Sequence, residues 1–217
     1  MKSSASQSKQ ASDKATATNR ERILHAAIEV FGHQGLDGAR TREIAKRAGV
    51  TQPLLAYHFK DKETLWQECA EFIFSDFGAR VTNRLASVRK EPVATRLAAL
   101  FRELIGSAAR NPEAHRFMIR YSMNDASGRK KRPRGSLRST ARGDLWVKQI
   151  RQAQSEGVLP RNVDPFILRF MLLGAATYAY LECGSYEELT GRDPHDRDVS
   201  DKHLQAMISV FLISVDT

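Results

Sequence analysis

Apolar residues recur at helical spacing along most of the chain. Over residues 19–34, Ile23, Ala27, Val30 and Phe31 fall on one face. Thr18-Asn19-Arg20-Glu21 ahead of them has the form of a capping box, and Gly32 and Gly35 are placed to close the helix. Residues 41–48 predict a short helix with Thr41 as N-cap, and Gly49 stands where a left-handed C-terminal residue is needed. Thr51 is placed to cap a second short helix ending near His58, and its first turn tolerates Pro53. Asp61 caps the next element, with Glu63 favourable in its first turn. Helical spacing then predicts elements near 61–89, 93–110, 113–124, 138–156, 164–183 and 198–215. Pro92, Asn111-Pro112, residues 157–160 and Asp164-Pro165 punctuate them. No stretch alternates with a period of two, so the fold class is all-α with about nine helices.

Composition narrows what such a protein does. Residues 1–17 hold Ser, Gln, Ala, Lys and Thr with little to bury, which predicts a disordered basic arm. The pattern then predicts one domain over 18–66 and a larger helical domain over 67–217. Lys plus Arg is 34 and Asp plus Glu is 25, a net +9 that favours an anionic partner without naming it. Cys69 and Cys183 make no disulfide framework and have no metal-ligand spacing. The longest apolar run, 166–181, is shorter than a membrane span and carries Arg169. With no apolar signal core at the start, a cytoplasmic protein without a membrane partner is expected. HExxH, Walker A, GxSxG and GxGxxG are absent, and the SxxK matches at Ser6 and Ser87 are short enough to be chance. His195, Asp196, Asp198 and His203 read more simply as a polar linker than as metal ligands. No catalytic residue, metal or cofactor is therefore expected.

The segment 41–59 carries the function. Two short helices joined by Ala48-Gly49-Val50-Thr51 have helix-turn-helix spacing. Ile44, Ala45, Ala48, Val50, Leu55 and Phe59 are placed to pack the pair onto the preceding helix. Arg20-Glu21-Arg22-Ile23-Leu24, Thr41-Arg42-Glu43-Ile44-Ala45, Ala48-Gly49-Val50-Thr51 and residues 57–65 agree in order with one pattern. That pattern resembles the N-terminal domain of the TetR (tetracycline-repressor-like) family, over about residues 18–66. The resemblance implies a homodimeric, usually repressing, transcription factor. Its C-terminal helices would bind a small-molecule effector, loosening its hold on a palindromic double-stranded DNA operator. The family often has Gly where Pro53 stands and Tyr where Ala56 stands.

Chemistry suggests the roles. Arg42 can bond bidentately to a guanine edge, and Gln52 can pair with adenine or reach a phosphate. Pro53 and Leu54 offer apolar contact to a thymine methyl. Thr41 can present its hydroxyl to a phosphate, with helix capping as the competing role. Tyr57, His58, Lys60 and Lys62 suit phosphate contact. For His58 the alternative is packing, and for Lys62 a nearby carboxylate.

Beyond residue 66, a pocket would be lined by Phe101, His115, Met118, Tyr121, Trp146, Gln149 and Phe170, although aromatics at this spacing are more often plain core. The last two long helices are apolar on several faces. A two-fold four-helix interface through Phe166, Phe170, Gly174, Tyr178, Leu204, Met207, Ile208 and Phe211 would cover them; a larger internal core is the alternative. Residues 1–66 carry +4 and residues 67–217 carry +5, and 129–142 alone carry +7. That basic stretch reads first as a solvated loop and second as an auxiliary anion contact. The rival functions are an enzyme and a non-specific architectural DNA binder. The second would not need a long helical domain after residue 66.

Overall fold

The computed structural model describes the backbone of residues 3–126 and 141–212, and the side chains of 18–123 and 145–212. Ten helices are present among the described residues, with no strand. They are α1 Ser3–Gly38, α2 Thr41–Ala48, α3 Gln52–His58, α4 Lys62–Ser87 and α5 Val93–Arg110, then α6 Pro112–Ala126, α7 Ala141–Ser155, α8 Pro165–Leu181, α9 Cys183–Thr190 and α10 Arg197–Phe211. The all-α expectation holds, with one helix more than about nine.

Three local expectations are corrected. The backbone of α1 is helical from Ser3, so Thr18 lies inside the helix and opens no capping box. Residues 3–17 contain neither Pro nor Gly, and about half of them are Ala, Gln or Lys, which tolerate helix well. The N-cap of α2 is Arg40, whose carbonyl accepts from Glu43 and Ile44, so Thr41 is the first helical residue. Finally, α9 follows α8 after a break at Glu182 (φ −103, ψ 40).

The chain forms two compact units. Met1–Ile73 with Arg116–Pro133 make the first; Phe74–His115 with Arg134–Thr217 make the second. In the first, Ile23, Leu24, Ala27, Val30 and Phe31 of α1 are buried with Ile44, Ala45 and Ala48 of α2, and Leu55 and Phe59 at α3. An aromatic cluster joins Phe31, Trp66 of α4, and Phe117 and Tyr121 of α6. The Trp66 and Phe117 rings lie 4.5 Å apart and Phe31 meets Trp66 edge-on at 4.9 Å.

In the second unit α5 is the central rod. Its Leu97, Leu100, Phe101, Leu104 and Ile105 pack with Trp146 and Ile150 of α7, Leu168, Leu172, Ala176 and Tyr180 of α8, and Leu204 and Met207 of α10. Asp164 caps α8 through the amides of Phe166 and Ile167 at 2.8 and 3.2 Å, with Pro165 at the first position, where its missing N–H costs nothing. Among the described residues no single helix is long and apolar enough to cross a membrane. The α8–α9 pair has the length and composition but is bent by 74°.

Candidate nucleic-acid interface

The α2–α3 pair is built from local signals that agree. Gly49 takes φ 63, ψ 36, a left-handed conformation that costs other residues more. Its amide reaches Lys46 at 3.2 Å and the Val50 amide reaches back to Ala45 at 3.0 Å, satisfying the last carbonyls of α2 in a Schellman turn. The Thr51 hydroxyl accepts from the Leu54 amide at 3.4 Å and starts α3, with Pro53 in the first turn. The carboxylate of Asp61 takes the Thr64 amide at 2.6 Å and starts α4.

Side chains from α1 then fix the pair. Arg22 donates to the Gly49 carbonyl at 3.3 Å and to Asn19. Arg47 pairs with Glu29 at 3.2 Å, and Gln34 donates to Glu43 at 2.9 Å. Arg20 pairs with Glu68 and lies over the Phe59 ring, 5.5 Å from its centre. The carboxylates of Glu29, Glu43 and Glu68 are thus each engaged, Glu29 and Glu68 by arginines and Glu43 by a neutral amide.

Gln52, Pro53, Ala56, Tyr57 and Lys60 are exposed and follow one another at helical spacing along α3 and just past it; Tyr57 is 78% exposed. On α2, Arg42 and Lys46 are exposed four residues apart, opposite in type to the buried Ile44 and Ala48. Residues 51–60 contain no acid. The exposed surface is therefore cationic, with an amide and a phenol for hydrogen bonding. That arrangement suits a phosphate backbone flanking base edges.

The anticipated contacts do not all sit alike. Arg42, Gln52, Pro53, Tyr57 and Lys60 are exposed, and Thr41 and Leu54 are half-buried. His58 is half-buried between Tyr57 and Phe59, and its Nε2 is buried with no partner among the described residues, which fits the packing alternative. Lys62 donates to the backbone carbonyls of Asp37 and Ala39 at 3.3 and 3.1 Å, so its ammonium braces α1 rather than pairing with a carboxylate. Two further cations, Arg40 at the N-cap of α2 and Lys46, are exposed as well. The four-residue step from Arg42 was the available signal for Lys46. Nothing in the sequence could place Arg22 against Gly49.

The residues anticipated for a pocket divide between the units. Tyr121 belongs to the aromatic cluster of the first unit and donates to Gln67 at 2.8 Å; Met118 is half-buried one turn away. In the second unit Phe101, Trp146 and Gln149 are buried, the Oε1 of Gln149 without a partner among the described residues. His115 is half-buried, and desolvation pushes its pKa down to about 4. Phe170 is 66% exposed and so lines no interior.

The anticipated interface residues also divide. On α8, Phe166, Phe170, Gly174 and Tyr178 form an exposed stripe at four-residue intervals, widened by Ile167 and Met171. On α10, Ile208 and Phe211 are half-buried. Leu204 and Met207 are packed into the chain's own core and offer nothing to a second copy. The basic stretch 129–142 lies outside the described residues, apart from the backbone of its last two in α7.

Residues 23–69 match the family model described as "Bacterial regulatory proteins, tetR family". The transcriptional regulator AcrR of Shigella flexneri is 42% identical over 59 residues, 27% of this chain and 27% of the relative, so the match spans about a quarter of that protein. A TetR family transcription regulator from Marinobacter aquaeolei VT8 superposes with a TM-score of 0.72 at 15% identity, covering 92% of this chain and 98% of the other. AibR, solved in complex with isovaleryl coenzyme A and operator DNA, superposes with a TM-score of 0.61 at 21% identity, covering 89% of this chain and 97% of the other. These two likenesses establish a shared fold along nearly the whole chain. Residues 23–69 therefore carry a domain similar to that of the tetR family of bacterial regulatory proteins, within a fold shared along nearly the whole chain.

Proposed function

We propose that the chain is a homodimeric, sequence-specific DNA-binding transcriptional regulator, a repressor released from a palindromic operator by a small-molecule effector. The observation that carries this reading is the exposed, acid-free face of α3 beside Arg42 and Lys46 of α2, above a helix pair pinned to α1 by Arg22, Arg47 and Gln34. Arg42 and Gln52 read base edges; Tyr57, Lys60 and the N-terminal turn of α2 at Thr41 hold phosphates. Pro53, and Leu54 where it is accessible, meet thymine methyl groups. The apolar stripe of α8 supports a dimer, because a second copy would remove it from water. The effector is read onto the second unit, where Gln149 is buried with its Oε1 unpartnered among the described residues and His115 is half-buried. The likeness in fold to AibR, solved in complex with isovaleryl coenzyme A and operator DNA, supports a chain that combines DNA binding with a response to a ligand.

Footprinting tests the reading on duplexes that the full chain selects from random-sequence DNA. A protected palindrome with half-sites about one helical turn, or a multiple of it, apart is expected. Uniform weak protection would leave only an architectural binder. Arg42→Ala is expected to cost about 1–3 kcal/mol and relax preference at one position. Lys60→Ala is expected to weaken all sequences alike and to lower the salt slope by about one.

A further inference from the structure

One arrangement in the first unit lies outside the exposed face. Helix α1 is interrupted at Gly35, which takes φ 71 and ψ −179 before the chain resumes to Gly38 and turns into α2. A break of this kind frees carbonyls from the helical ladder. Four carbonyls around it are engaged by two cationic side chains from other helices. Arg120 of α6 donates through Nε to Gly32 at 2.7 Å and through Nη2 to His33 at 2.9 Å. Lys62 of α4 holds Asp37 and Ala39. The next residue after Ala39 is Arg40, whose carbonyl is the first acceptor of α2. The direction in which α2 leaves α1 is thus set across a corner held from two sides.

Arg120 is exposed, but its place on α6 is fixed by buried neighbours. Phe117 and Tyr121, three residues before it and one after, are buried in the aromatic cluster around Trp66. Its backbone therefore moves with that cluster, and its guanidinium holds two acceptors through a rigid planar fork of Nε and Nη2 that a lysine's flexible ammonium does not reproduce. We infer that Arg120 is a positioning residue for the α2–α3 pair: it sets the α1–α2 corner from α6 without itself touching nucleic acid. A displacement of α6 is thereby felt at α2. The inference rests on α2–α3 being the DNA-reading pair, and its test separates the two ideas.

The full chain is compared with Arg120→Ala and Arg120→Lys. The probe is the duplex selected by the wild type from random-sequence DNA, titrated over a salt series. Amide hydrogen exchange is followed over residues 36–44 in the same three proteins without DNA. Arg120→Ala is expected to bind roughly tenfold more weakly, with the salt slope unchanged and faster exchange at the corner. Arg120→Lys, which keeps the charge but not the planar fork, recovers part of both. Unchanged affinity and exchange would overturn the inference, and so would a slope lowered by about one, because Arg120 would then be a phosphate contact. Should Arg120→Ala not fold, Arg120→Lys against wild type decides in the same assays. Should the wild type select no duplex, the DNA reading fails on that ground. The exchange data then judge the corner by themselves: faster exchange upholds the clasp and unchanged exchange removes it.

Discussion

At Gly49 two constraints meet. The backbone is left-handed, and a Cβ there would lie 2.5 Å from Nη2 of Arg22, the group that donates to the Gly49 carbonyl. Gly49→Ala is expected to cost about 1–2 kcal/mol from the backbone alone, with further loss as Arg22 is pushed off. Urea unfolding checks this, and an unchanged midpoint would contradict it. His115 gives a pH-dependent counterpart. Its folded pKa of about 4 lies below the unfolded 6.5, so the folded state prefers the neutral ring. The stability this contributes is complete above about pH 6.5 and is lost as pH falls through 4. Over that window His115→Gln is expected to lose less stability than wild type, by a difference of about 3 kcal/mol. Parallel losses in both proteins would show that His115 is not the group responsible. The sequence made Gly49, Thr51 and Asp61 legible because their partners are three to five residues away. Lys62 and Arg120 were illegible because theirs are 23 and 88 residues away, at the far side of α1. A lone cation in a sequence has the same appearance on a phosphate, on a carboxylate or on a helix end.

Between elements, α4 and α5 are tied by a buried carboxylate. Glu103 is 7% exposed and accepts from Nε of Arg80 at 3.0 Å, with Nη2 of Arg110 at 3.5 Å. Arg80 also pairs with Asp76 and donates to Ser107 at 3.4 Å. Removing the carboxylate leaves a part-buried guanidinium short of a partner. Glu103→Ala is expected to destabilise by about 3 kcal/mol, measured by denaturant unfolding. The double variant with Arg80→Ala should cost less than the sum of the single changes; additivity would show that the two side chains do not interact. This tie is invisible to periodicity, which assigns a glutamate to the solvent face. For the same reason α9 escaped notice. Cys183–Thr190 has no buried residue, so no apolar stripe announces it. Helices with a buried face, such as α5 and α8, were found nearly to the residue. Their apolar positions repeat every three to four residues, and Pro92, Asn111 and Asp164 mark their ends.

For the molecule as a whole, the sequence told that α8 was apolar on several faces but not which part faced where. The inner positions Leu168, Leu172, Ala176 and Tyr180 complete the core of the second unit, while the stripe from Phe166 to Tyr178 stays outside. A single-chain pattern cannot separate these, because both are hydrophobic and both lie at helical spacing. Under the proposed dimer, Phe170→Asp is expected to convert a dimer to a monomer in sedimentation equilibrium and to abolish tight binding to a palindrome. A variant that remains dimeric would move the interface elsewhere. The two tryptophans of the chain have a separate consequence. Trp66 is buried beside Phe31 and Phe117 in the first unit, and Trp146 is buried against α5 in the second. Each unit therefore carries one intrinsic fluorophore. With Trp66→Phe or Trp146→Phe, emission follows the melting of one unit at a time. Coincident transitions would mark a single cooperative molecule, and separated ones two independently melting halves.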